Sequence, residues 1–152
     1  MTGTTEHVVT LQDLRVGQVF ETGSVVIGHD EIVAFATQYD PQPMHLDDVA
    51  ARETFFDGLV ASGWHVAALT TRLVVDARPF GATPMIGAEI AHLRFRRPVR
   101  PGTRMQARVT VESLEADAKR PGRGFATLKV ETLDAATGEV LMAQAWRMVV
   151  PS

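Results

Sequence analysis

The stretch SGWHVAALTTRLVVD, residues 62–76, decides the fold class, because it predicts the longest helix of the chain. Its first half is small or apolar on every side, which is typical of a helix enclosed by other structure. Fifteen residues at about 1.5 Å per residue reach roughly 22 Å, close to the length of a strand of six or seven residues. We therefore expect a helix from about Gly63 to Asp76 with a sheet of matching length around it.

Four strands are predicted after this helix. Residues 105–111 alternate between apolar and polar side chains, the pattern of a half-buried strand. In the first of these strands the apolar side chains change from even-numbered to odd-numbered positions near Ala91 and His92, which suggests a β-bulge. A buried helix followed by a largely antiparallel sheet predicts an α+β fold in which the sheet curls around the helix. The predicted strands cover residues 85–97, 104–112, 125–133 and 140–150.

The region before the long helix predicts a strand and two shorter helices. Residues 18–28 are rich in valine and isoleucine and indicate a strand or a bent hairpin. Asp30 is expected to cap a helix that ends before Pro41, since the residue preceding a proline is disfavoured in helical geometry. Asp47 is expected to cap a second, short helix that runs through Arg52.

Composition narrows the class of protein. The 152 residues predict one domain, of which residues 1–10 are expected to be a poorly ordered segment. No cysteine is present, which excludes a disulfide framework, a thiolate nucleophile and a cysteine zinc site. The net charge of −3 gives no attraction to nucleic acid. Since no stretch fits a membrane span or a signal peptide, we expect a soluble, cytoplasmic protein without a membrane partner.

Asp40 and His45 are the candidate catalytic pair, at the two ends of a loop stiffened by Pro41 and Pro43. A carboxylate and an imidazole held close together can share one water and exchange protons near neutral pH. Alternatively, Asp40 is a turn residue and His45 a helix cap, because aspartate beside proline is common in turns. The residues alone leave both interpretations open.

The start of the predicted long helix is a second candidate. The free backbone N–H of Gly63 would carry partial positive charge and could stabilise a developing oxyanion. Alternatively, this glycine only permits close packing. Ser62 lacks the glycine pattern of a nucleophile elbow and is expected to be the N-cap. Trp64 and His65 could line a pocket, but a core tryptophan and a hydrogen-bonded histidine are the favoured interpretations.

Two charged clusters have simple alternatives. His45, Asp47 and Asp48 match no zinc-binding spacing, so no metal site is expected. A group of basic residues could bind the phosphates of a nucleotide, although a solvated strand face is the favoured interpretation for any single one of them. No glycine-rich phosphate loop is present. The basic residues are Arg94, Arg96, Arg97, Arg100, Arg104, Lys119, Arg120 and Arg123.

Residues 35–47, followed by Phe55 and by ASGWH over residues 61–65, resemble the MaoC-like dehydratase family, the (R)-specific enoyl-CoA hydratase branch of the hotdog fold. Residues 97–102 resemble that family's turn into the next strand, so the resemblance runs from about Val16 to the C-terminus. It implies a hotdog fold, in which an antiparallel sheet wraps around a central helix. It also implies a homodimer whose sheets join edge to edge, with the acyl tunnel near the subunit boundary.

The resemblance implies a reaction as well: reversible hydration of a trans-2-enoyl thioester, carried by CoA, to a 3-hydroxyacyl thioester, without metal or redox cofactor. Asp40 and His45 match the family's aspartate and histidine that bind and activate water. The Gly63 N–H would polarise the thioester carbonyl.

Four further residues become candidates for contacting the substrate. Gln42 stands where the family usually has asparagine, and Ser62 where relatives often have histidine. Trp64 and Arg97 are the other two. Two alternative functions stay open, namely a hotdog acyl-CoA thioesterase and a non-catalytic acyl-CoA-binding subunit. Retention of both Asp40 and His45 counts against the second.

Overall fold

One antiparallel sheet, four α-helices and a short 3-10 helix (Leu11–Asp13) account for the regular structure of this computed structural model, which describes residues 7–152. The strands lie in the order β1-β3-β4-β5-β2. The predicted α+β class is therefore confirmed, as are the predicted long helix and the four strands after it. In chain order the elements are β1 (Val19–Val26), α1 (His29–Tyr39), α2 (Pro43–Leu46), α3 (Asp48–Arg52), α4 (Gly63–Ala77), β2 (Ile86–Phe95), β3 (Arg104–Ala116), β4 (Arg123–Asp134) and β5 (Val140–Pro151).

The main core lies between α4 and one face of the sheet. Leu73 and Val74 on α4 belong to the same buried cluster as Val109, Leu128 and Val130 on the central strands. Alternate residues of a strand face the same side, so the predicted alternation of β3 delivers a continuous apolar face to the helix. Full burial of a valine or leucine side chain contributes roughly 1.5–3 kcal/mol, and this cluster holds α4 in place.

Strand β2 forms one edge of the sheet and contains a bulge. Its register with β5 shifts between Ala91 and Arg94, and His92 adopts a positive φ of 54°. The bulge predicted near Ala91 and His92 is thus confirmed. Ile86 and Ile90 are 55% and 52% exposed, so the edge presents apolar side chains.

Among the helices before α4, the start of α1 differs from the prediction. Helix α1 begins at His29 with Gly28 in the N-cap position, so the prediction of Asp30 as the cap is wrong. Asp30 instead lies in the first turn, where its negative charge interacts favourably with the helix dipole. The Asp47 cap of α3 is confirmed, because its carboxylate accepts a hydrogen bond of 2.8 Å from the Ala50 N–H.

The N-terminal segment is anchored from residue 7 onward. Val8 forms a β-bridge with Gly81, and the Thr83 hydroxyl donates to the Val9 carbonyl at 2.7 Å. Part of the segment predicted to be poorly ordered, residues 7–10, thus makes contacts with the rest of the chain, and residues 1–6 lie outside the described part of the chain. Among the described helices, none is long and apolar enough to cross a membrane.

A second buried cluster fixes the elements around the candidate site. It joins Ile32 of α1, Ala51 of α3 and Val66 of α4 to Met105 and Met142 at one end of the sheet. Because these side chains pack together, α1 and the start of α4 are held at the same end of the sheet.

Candidate active site

The segment after α1 is bent out of the helix and then restarts as α2. Asp40 is the C-cap of α1, with φ −151° and ψ 66°, the non-helical geometry expected before Pro41. Pro43 then opens α2, where a proline costs no hydrogen bond. The prediction of a loop as far as His45 is therefore wrong from Pro43 onward: His45 lies on a short helix, which orients its side chain inward.

The His45 ring is buried and held by a backbone carbonyl. Its Nδ1 lies 2.7 Å from the Val60 carbonyl oxygen. Since a carbonyl can only accept, Nδ1 carries the hydrogen, and Nε2 of the neutral ring is left as an acceptor. The Val60 N–H in turn donates to the Met44 carbonyl at 3.0 Å, so α2 and the segment before α4 are joined by hydrogen bonds.

The Asp40 carboxylate accepts hydrogen bonds at both of its oxygens. Gln42 Nε2 donates to Oδ1 at 2.6 Å, and the Ser62 hydroxyl donates to Oδ2 at 2.7 Å. These two bonds, in that order, lower the pKa of Asp40 against the opposing effect of partial burial, with a smaller contribution from His45. Asp40 is therefore ionised at neutral pH.

Asp40 Oδ2 and His45 Nε2 face each other at 3.4 Å. A carboxylate oxygen and an unprotonated imidazole nitrogen are both acceptors, so they cannot hydrogen bond directly to one another. One water can donate a hydrogen to each of them. The geometry that the hypothesis requires, an acid and an imidazole converging on a single point, is thus present.

The N-terminus of α4 lines the same cavity as Asp40 and His45. The Gly63 N–H has no hydrogen-bond acceptor within residues 7–152, whereas the next turn is closed by the His65 and Val66 N–H groups donating to the Ser62 carbonyl. Gly63 also packs closely, because a Cβ at this position would overlap the ring of Phe95. Both interpretations of the glycine therefore agree with the structure: close packing is observed, and an unpaired donor is available.

A cavity of about 420 Å³ contains these groups. Its walls are mostly apolar, and Phe55, 98% exposed, lies at its rim. Such a pocket, with a few converging polar groups, is the usual form of a small-molecule site. Its lining includes Asp40, His45, Val60, Gly63, Trp64, Val66, Phe95, Arg96, Arg97, Leu141 and Met142.

Two of the residues predicted to bind substrate do not line this cavity. Gln42 and Ser62 instead bond to Asp40, so the prediction that they contact substrate is not supported and their observed contact is a positioning one. Ser62 does occupy the N-cap position of α4, but its hydroxyl makes no capping bond because it is committed to Asp40.

Trp64 and His65 also differ from the favoured interpretations. Trp64 is 60% exposed and lines the cavity, so it is not a core tryptophan. His65 is buried and stacked on Phe35 with ring centroids 4.6 Å apart, and its Nδ1 has no hydrogen-bond partner among the described residues. Burial lowers the pKa of His65, which keeps the ring neutral.

The basic cluster separates into two regions. Arg96 and Arg97 line the cavity, with Arg97 Nε 3.6 Å from a Glu139 carboxylate oxygen. Lys119 and Arg120 lie in the β3–β4 turn, at the opposite end of the sheet from the β4–β5 turn that carries Glu139. The first region lines this cavity, and Lys119 and Arg120 do not.

Charged residues near α3 serve local structure. The Oδ2 of Asp48 lies 2.7 Å from His29 Nε2, and Asp47 caps α3. Within residues 7–152, no three histidine, aspartate or glutamate side chains are grouped so that they could hold a metal ion.

Sequence reasoning missed two parts of the site. The Val60 carbonyl fixes the tautomer of His45, and Phe95 covers Gly63. A carbonyl carries no side-chain signal, so the first could not be found from sequence. Phe95 is 32 residues from Gly63 in the sequence, and no local pattern relates the two.

The chain is similar in sequence to known proteins. Residues 11–134 match the model of the MaoC like domain family. The uncharacterized protein YdeM of Bacillus subtilis is 34% identical over 122 residues, covering 80% of this chain and 85% of YdeM.

Two solved structures extend the comparison. The MaoC-like dehydratase of Rhodospirillum rubrum superposes with a TM-score of 0.85 at 38% identity, over 94% of this chain and 97% of that one. The (R)-hydratase of A. caviae involved in PHA biosynthesis gives a TM-score of 0.73 at 28% identity, over 92% and 99% of the two chains. The predicted hotdog fold is thereby confirmed.

Proposed function

Because this chain belongs to the MaoC-like dehydratase family, we propose that it catalyses the reversible hydration of a trans-2-enoyl thioester, carried by CoA, to the 3-hydroxyacyl thioester. One observation carries the proposal: Asp40 Oδ2 and His45 Nε2 lie 3.4 Å apart on the wall of a cavity that Gly63 also lines. The family resemblance and the (R)-hydratase neighbour support the same reaction class.

Water activation follows from the protonation states of the pair. The water donates one hydrogen to Asp40 Oδ2 and the other to His45 Nε2, the basic nitrogen of the neutral ring. His45 removes the proton as the water oxygen attacks carbon 3 of the enoyl group. The resulting imidazolium is stabilised by the Asp40 carboxylate, which stays ionised because Gln42 and Ser62 hold its pKa low.

The negative charge then develops on the thioester oxygen. As the new C–O bond forms at carbon 3, the double-bond electrons move toward the carbonyl and give an enolate. The Gly63 N–H, at the positive end of α4, donates to this oxygen. A donor of this kind typically lowers the barrier by about 2.7–4 kcal/mol.

Protonation of carbon 2 completes the reaction. His45 returns its proton from Nε2 to carbon 2, the enolate collapses to the thioester, and the pair regains its starting state. One water is added for each double bond consumed, so the proposed chemistry requires neither a metal nor a redox cofactor. The reverse sequence eliminates water.

The thioester carrier is proposed to be CoA because cations lie beside the cavity. Arg96 and Arg97 both line it, and an arginine can bind phosphate oxygens in pairs. The Arg97–Glu139 contact of 3.6 Å is exposed and weak, so Arg97 can exchange it for a phosphate.

We also propose a homodimer in the cytoplasm. The β2 edge exposes Ile86 and Ile90 together with unpaired backbone groups, a surface suited to pairing with a second copy. The absence of cysteine agrees with a reducing compartment.

The direct test is an activity assay on crotonyl-CoA. We expect the absorbance of the conjugated thioester to fall until it reaches an equilibrium with 3-hydroxybutanoyl-CoA, and no free thiol to appear with a thiol-reactive dye. Stoichiometric thiol release would establish a thioesterase instead. Calorimetric binding of acyl-CoA without loss of absorbance would establish a non-catalytic binding subunit.

A further inference from the structure

A second groove, about 600 Å³ in volume, continues from the catalytic cavity along α4. It lies between the exposed side of α4 and strands β2 and β5. Its walls are largely apolar, with Ala67, Ala68, Leu93 and Trp146 among them. Trp64 is the side chain that lines both this groove and the catalytic cavity.

The cavity and the groove are successive sections of one trough, as two strands show. On β5, Met142 lines the cavity and Gln144 lines the groove. These two residues are on the same face of the strand, roughly 6.8 Å apart. On β2, Phe95 pairs with Met142 and lines the cavity, whereas Leu93 lines the groove. The boundary between the cavity and the groove therefore lies between Met142 and Gln144 on β5 and between the neighbouring Phe95 and Leu93 on β2.

An aromatic pair stands at this boundary. The Trp64 and Phe95 rings meet edge to face, with centroids 6.1 Å apart and an interplanar angle of 82°. Phe95 also packs against Gly63, where a side chain would overlap its ring. Trp64 is 60% exposed in the single chain, and its ring lines both the cavity and the groove.

We propose that Trp64 determines the maximum acyl chain length of the substrate, an inference that rests on the proposed hydration of an acyl thioester in this cavity. A short acyl chain ends against the Trp64–Phe95 pair. The groove beyond is closed to it. Removal of the indole joins the two volumes, and a longer chain then gains apolar contacts, each buried methylene group contributing a roughly fourfold gain in affinity.

The test compares two substrates in three proteins. The ratio of kcat/KM for trans-2-decenoyl-CoA to that for crotonyl-CoA is measured in the native protein, in Trp64→Ala and in Phe55→Ala. Phe55 is the matched control, because it is an exposed aromatic residue that lines the cavity but not the groove. We expect the native protein to favour crotonyl-CoA and Trp64→Ala to raise the ratio by roughly tenfold or more. Phe55→Ala should change both substrates alike.

A second substitution distinguishes use of the groove from simple widening of the cavity. Ala68 lines the groove, so Ala68→Phe added to Trp64→Ala should fill the released space and return the ratio toward the native value. An unchanged ratio in Trp64→Ala, or an equal change in Phe55→Ala, would overturn the inference.

Binding separates this inference from the reaction itself. Calorimetric affinities for butanoyl-CoA and decanoyl-CoA need no turnover. If neither enoyl-CoA is hydrated but Trp64→Ala still selectively tightens decanoyl-CoA, the proposed reaction fails and the role of Trp64 stands. If crotonyl-CoA is hydrated but Trp64→Ala changes neither the kcat/KM ratio nor the ratio of the two acyl-CoA affinities, the proposed reaction stands and the role of Trp64 fails.

Discussion

The centre of the sheet and the corner of the molecule formed by Asp40, Gln42 and Ser62 are stabilised in different ways. At the centre, Val109, Leu128 and Val130 are fully buried among many apolar neighbours that share the packing. At the corner, one carboxylate is oriented by two hydrogen bonds, from Gln42 and Ser62. The difference implies that stability and activity depend on separate sets of residues, and the following substitutions test that separation.

The largest effect on stability is expected in the centre. Leu128→Ala removes a completely buried side chain from β4 and should lower the free energy of unfolding by about 2–5 kcal/mol, measured by urea denaturation. The kcat of the fraction that remains folded should stay near the native value. A large fall in that kcat would show that the corner depends on the packing of the centre.

The largest effect on activity is expected from the catalytic pair. Asp40→Asn and His45→Gln should each lower kcat by roughly 100-fold or more, because each removes one of the two groups that bind the water. Their thermal midpoints should shift less than that of Leu128→Ala. Asp48→Asn is the control, since this nearby acid pairs with His29 and does not line the cavity.

Near-native turnover in both Asp40→Asn and His45→Gln would contradict the proposed roles. Loss of the folded state in both would instead contradict the separation of stability from activity.

Ser62→Ala should have a smaller effect, with a characteristic pH dependence. Loss of the 2.7 Å bond leaves the Asp40 carboxylate less firmly oriented beside His45, and we expect kcat to fall roughly tenfold, which corresponds to about 1.4 kcal/mol in the barrier. The bond lowers the pKa of Asp40, so its loss raises that pKa. The part of the acid limb that reports protonation of Asp40 should then move to higher pH, whereas protonation of the base His45 is a separate step.

The same bond links pH to stability. A carboxylate with a lowered pKa in the folded state stabilises the fold above its unfolded pKa, and this contribution disappears as the pH falls through the folded value. Ser62→Ala should therefore lose stability near neutral pH and show a weaker further loss in acid. Thr70→Val is the control, because it removes a buried hydroxyl bonded to Thr132 and should leave the acid limb in place.

Gln42→Ala is expected to have the smallest effect. The side chain donates to Asp40 Oδ1 at 2.6 Å but lies at the exposed side of the carboxylate, where water can replace it. We expect kcat to fall roughly threefold and the acid limb to move in the same direction as in Ser62→Ala. A larger loss than in Ser62→Ala would show that Gln42, and not the buried serine, orients Asp40.

Much of the fold could be predicted from local signals. The strict alternation over residues 105–111 and the apolar stretch after Gly63 are periodic, and periodicity is set by the geometry of each element. The parity switch located the bulge at His92 for the same reason. The N-cap of α1 was missed because Gly28 offers no capping side chain, while Asp30 resembles one.

The site could be predicted only in part. Asp40 and His45 were found through the motif, which places them at the two ends of one short segment. The bond from Ser62 to Asp40 joins residues 22 positions apart, and its existence depends on how α1 packs on α4. The exposure of Trp64 likewise depends on the shape of the trough, which cannot be predicted from the spacing of apolar residues along α4.

The central claim is that the pair delivers water to carbon 3 of an enoyl thioester, and isotopic labelling tests it most directly. Crotonyl-CoA is incubated with the protein in water enriched in the heavy oxygen isotope, and the products are analysed by mass spectrometry. We predict one heavy oxygen in the 3-hydroxyl group of an intact thioester, formed by the native protein and lost in Asp40→Asn. Label in the carboxylate of a free acid, or no incorporation at all, would contradict the account.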